Sequence, residues 1–111
     1  MAGARVWSAD DRTGGPIDEV FTDLRREFPD LVIERLVGTY LADDDNVFWL
    51  CIGPPQSLRG KESVQVDTKP GGRPPFLLEG ERHVGEHVEM RDASDARPVL
   101  MEWLRRRSAG R

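Results

Sequence analysis

Leu41–Gly53 reads LADDDNVFWLCIG: three aspartates and an asparagine run directly into six apolar residues. Aspartate and asparagine favour turns because their side chains bond the local backbone. The branched and aromatic run that follows has the composition of a strand. The charges therefore predict a solvated hairpin tip, and the apolar run the strand that leaves it. Side chains of a strand alternate between its faces. Phe48, Leu50 and Ile52 would face one way, and Val47, Trp49 and Cys51 the other. A half-exposed antiparallel strand should carry polar residues on one side. This one is apolar on both, so it is expected to be covered twice, once by helices and once by a curled sheet, a second copy or another partner.

On the N-terminal side, LVIERLVGTYL (31–41) predicts the strand that enters the hairpin. Before it, Ile17, Val20, Phe21, Leu24 and Phe28 recur at i, i+3, i+4, i+7 and i+11, one face of a helix. Pro16 suits the first helical position, and Pro29 helps to end the helix. Asp18 and Glu19 complement the positive end of its dipole, Arg25 and Arg26 the negative end. Residues 1–15 are polar and predict a flexible arm, with Val6 and Trp7 able to add a short strand.

On the C-terminal side, ESVQVDT alternates, with Val64 and Val66 inward and Gln65 and Asp67 outward. Phe76–Glu79 predicts a further short strand. Residues 83–90 give a possible fifth, with Val84, Val88 and Met90 on one face and Glu86 breaking the stripe. A last helix follows, with Ser94 as its N-cap, Pro98 in or near the first turn and Ala96, Leu100, Trp103 and Leu104 as its buried stripe. The fold predicted is α+β: a two-layer sandwich of an antiparallel sheet of four or five strands, with an N-terminal and a C-terminal helix packed on one face. Residues 16–107 would form the single domain and 108–111 a basic tail.

The chain has 111 residues, enough for one core. Its net charge of -4 opposes a dedicated nucleic-acid binder, whose footprint would be basic. One cysteine allows neither an internal disulfide nor a multi-cysteine zinc site. The N-terminus has no apolar stretch of signal-peptide length, and no segment approaches a membrane span. A cytoplasmic location without membrane or nucleic-acid contact is expected.

No catalytic constellation emerges, and no cofactor is expected. Cys51 lies mid-strand among bulky apolar residues, where a thiol behaves as a small hydrophobe. KPGGRPPF lacks the Lys-Ser/Thr pair and following helix of a phosphate loop, and in RGKES Glu62 takes the hydroxyl position. His83 and His87 could share a metal on a helix, but four residues along a flat strand separate them by about 13 Å. The leading expectation is a non-catalytic protein-binding module. Trp49 would anchor the partner and Asp43, Asp44 and Asp45 would steer it. The partner could be a basic protein, as for immunity or antitoxin proteins, or a second copy. The alternative is a small-molecule or metal site near the 53–61 loop, with Arg59 and Lys61 for an anion and His83 and His87 for a metal.

Overall fold

The computed structural model describes residues 3–37, 46–53, 63–80 and 85–109. Among these, six strands form one antiparallel sheet in chain order: β1 (Gly3–Val6), β2 (Leu31–Val37), β3 (Asn46–Ile52), β4 (Val64–Lys69), β5 (Arg73–Gly80) and β6 (His87–Met90). Helix α1 (Ile17–Glu27) follows β1, and helix α2 (Ala93–Ala109) follows β6. The α+β class, the antiparallel pairing and both helices match the sequence reading. The strand count does not, since there are six rather than four or five. The described helices include none long and apolar enough to cross a membrane.

The strand beyond the expected four or five is β1, in the segment where Val6 and Trp7 offered a short strand. Arg5 lies opposite Arg35 and Val6 opposite Glu34, and the Trp7 amide donates to the Ile33 carbonyl at 2.8 Å. Residues 3–7 are therefore hydrogen-bonded to β2. Composition gives little sign of this, because an edge strand has a single neighbour and, of residues 5–7, Trp7 alone enters the core.

The alternation of β3 is as expected. Phe48 pairs with Val66, Val66 with Leu78, and Leu78 with Val88, all on one face. Leu50 stands between Ile33 and Val64 on the same face. Both helices add their apolar stripes to this one cluster. Ile17, Val20, Phe21, Leu24 and Phe28 are all buried, as are Ala96, Leu100, Trp103 and Leu104. Phe48 is central, with the Phe21 and Trp7 rings edge-on to it at 5.0 and 5.4 Å between centroids. Burying each such large side chain is worth roughly 1.5–3 kcal/mol, so this face dominates stability.

Local chemistry fixes the helix starts. Asp18 accepts hydrogen bonds from the Thr13 amide and hydroxyl (2.9 and 2.8 Å) and from the Gly14 amide (2.9 Å), which folds residues 13–15 back onto α1. Gly15 then lies on the β4–β5 turn so closely that a Cβ would stand 2.0 Å from the Gly71 oxygen. At α2 the cap is Asp92, not Ser94. Its carboxylate accepts from the Ser94 amide and hydroxyl at 2.9 and 2.8 Å. Pro98 sits inside α2 beyond its first turn, leaving the Ser94 carbonyl without its usual i+4 donor.

Glu86, the residue that broke the apolar stripe, is buried and paired. Its carboxylate takes Arg107 bidentately, Nη2 at 2.6 Å and Nη1 at 3.1 Å, with Arg106 at 3.4 Å. Arg107 Nη1 also donates to the Trp103 carbonyl. Gly80 leaves the space: a Cβ there would lie 1.8 Å from Glu86 Oε1. Arg107 lies near the end of α2, where an arginine can complement the helix dipole from solvent, yet it is buried. Burial in the pair clamps the last turns of α2 onto the β5–β6 hairpin.

Candidate functional site

The second face of the sheet is built by the other half of each alternation. One row across it runs Glu34, Trp49, Gln65, Glu79, His87, each residue opposite the next. A parallel row runs Val47, Asp67, Leu77, Glu89. Trp49 is half-buried, and its indole Nε1 donates to Gln65 Oε1 at 3.3 Å. Gln65 Nε2 in turn donates to Asp67 Oδ1 at 2.9 Å. A chain of side-chain hydrogen bonds thus orients the tryptophan and one carboxylate. Glu79 and His87 approach at 3.9 Å, with His87 largely exposed.

Beside this row, Asp67, Thr68, Lys69, Pro75, Leu77 and Glu89 line an open cavity of about 130 Å³. Its lining combines Pro75 and Leu77 with two carboxylates, one ammonium and Thr68. Such a surface can hold a side chain by apolar contact and select it by charge.

Of the residues expected at a site, Trp49 and His87 are described. They had been assigned to rival readings, yet they share one row, separated by three strand spacings or about 14 Å. Asp43, Asp44, Asp45, Arg59, Lys61 and His83 lie outside the described residues. Among the described residues no three His, Cys, Asp or Glu side chains gather to hold a metal.

The double cover expected for β3 has an internal origin at two of its three positions. Val47 and Cys51 are already buried, at 6% and 1%, within the single chain. Their apolar character therefore does not call for a partner, and Trp49 remains the half-open position. Gln65, the neighbour of Trp49, and Glu79 and Glu89 further along the same face were missed. The outward alternation of β4 pointed to Gln65, but Glu79 joins the Trp49 row and Glu89 the Val47 row only through the registers of β5 and β6.

Comparison with protein-family models, with curated proteins and with solved structures finds no match to this chain.

Proposed function

We propose that this protein is a non-catalytic module that binds a basic protein partner through the second face of its sheet. The observation that carries the reading is the composition of that face. A half-buried, hydrogen-bonded Trp49 and the half-buried Leu77 stand among the carboxylates of Asp67, Glu79 and Glu89, away from the face that both helices fill. Aromatic residues anchor interfaces because they bury large areas with few rotamers to lose, and surrounding charges set encounter rate and partner choice.

The acidic net charge of the chain acts in the same direction. Asp43 to Asp45, which precede β3 in the sequence, contribute to that acidity. A two-fold dimer through this face would set its carboxylates against their own copies, so a basic partner is favoured over self-association. Inhibitory binding to a basic enzyme, as by immunity or antitoxin proteins, is one role that fits, and a reducing cytoplasm suits the lone buried Cys51.

The test is affinity capture from the native host with the wild-type chain and with a Trp49→Ala, Glu79→Lys, Glu89→Lys triple variant, read by quantitative mass spectrometry. A basic protein should be retained by the wild type, lost on raising salt, and reduced at least about tenfold by the variant. Equal capture by the two chains, or no protein specific to the wild type, sinks the proposal.

A further inference from the structure

The edge of the sheet at β1 carries a different chemistry. Directly opposite residues on antiparallel strands are near neighbours, and like charges so placed are destabilising. The β1–β2 register sets Arg5 opposite Arg35. Both guanidinium groups lie over the ring of the buried Trp7, at 5.2 and 5.6 Å from its centroid. A third arginine, Arg25, donates to the Trp7 carbonyl. Burial lowers the pKa of Arg25, Asp11 opposes that shift, and Arg12 adds to it.

The counter-charges are few. Asp11 approaches Arg5 at 3.8 Å while accepting from the Ser8 amide and hydroxyl. Arg35 has a neutral partner, Asn46, whose Oδ1 accepts from Nη2 at 2.6 Å. Among the described residues no carboxylate pairs with Arg35. One cation would be enough to cover the Trp7 ring by cation–π contact. Here two stand directly opposite each other across the β1–β2 pair, in a chain of net negative charge.

We propose that Arg5 and Arg35 together bind a small oxyanion, phosphate or carboxylate, at the β1 edge. Each guanidinium can donate two parallel hydrogen bonds to such a group. The anion would relieve the repulsion between the arginines, while cation–π contact with Trp7 helps to position both. Arg5 supplies the more accessible fork, its side chain being 53% exposed. Arg35 is half-buried and pre-positioned by Asn46.

The test is NMR titration of the full chain with inorganic phosphate and, separately, with acetate. Chloride at equal ionic strength is the control. The arginine Nε–H signals of Arg5 and Arg35 and the indole signal of Trp7 should shift and saturate with at least one oxyanion, and which one responds identifies the source. Arg35→Gln and Arg5→Gln should each weaken binding at least about tenfold, and Arg35→Lys should fall between wild type and Gln because it keeps the charge without the fork. If Arg35→Gln loses its dispersed spectrum, Arg5→Gln, at the more exposed position, decides alone. Absence of saturable shifts, shifts equally produced by chloride, or shifts that persist in the Gln variants overturn the proposal.

Discussion

Two of the arginine–carboxylate pairs that hold α2 have nearly equal closest contacts: 2.6 Å for Glu86–Arg107 and 2.7 Å for Asp23–Arg97. Their surroundings differ. Glu86 and Arg107 are 2% and 4% exposed; Asp23 and Arg97 are 27% and 49% exposed. In water the second pair is screened and must hold two long side chains still. In the interior, either member of the first pair left alone would be a buried charge without compensation. Bond length therefore ranks these contacts as equals, and burial separates them.

The largest expected effect is at Glu86. Glu86→Ala strands Arg107 and should destabilise the fold by about 3–5 kcal/mol in denaturant unfolding. Replacing both members, Glu86→Leu with Arg107→Met, should cost less than the single change, since no charge then remains buried. A double variant as weak as the single one would show that shape, not charge, sets the penalty. Arg97→Ala at the exposed pair should cost no more than about 1 kcal/mol, and less at raised salt. A loss there as large as at Glu86 would erase the contrast.

The smallest effect concerns the cap of α2. The Asp92 carboxyl titrates below its ordinary range because the Ser94 hydroxyl and then the Ser94 amide donate to it. A carboxylate whose folded pKa is depressed contributes stability above its unfolded pKa and loses it as pH falls through the folded one. Ser94→Ala removes the first donor, so the Asp92 pKa should rise, read by NMR titration of its carboxyl carbon. An unchanged titration would remove the hydroxyl from the account.

Much of this architecture could be read from periodicity. The spacing of Ile17 to Phe28 found α1, and the two-faced run Val47–Ile52 found the central strand with its register parity. Glu86 shows why the rest was harder. Within its own segment it is a polar interruption, and its partner Arg107 lies 21 residues later, across a turn and most of a helix. The burial of Arg107 is hidden for the same reason: the local chain contains nothing that would bury it. β1 was only hinted at, by Val6 and Trp7, because its pairing with β2 depends on where α1 returns the chain. At the candidate site, Trp49 was legible as an aromatic on an odd face. Glu79 and His87, further along its row, are contributed by strands whose alignment is a tertiary fact.

Every strand pairs with its successor, but the separations differ. Lys69 meets Arg73 across a tight turn, whereas Gly3 must find Val37 on the far side of a helix. Contacts with longer intervening chain form later, because more chain entropy is lost before any contact rewards it. The N-terminal strand is then the last to dock and the first to fray. Arg5 and Arg35 stand opposite each other only while it is docked. An anion held between them would act as a mass-action latch on that edge, slowing amide exchange in residues 3–6 while leaving the central strands unchanged.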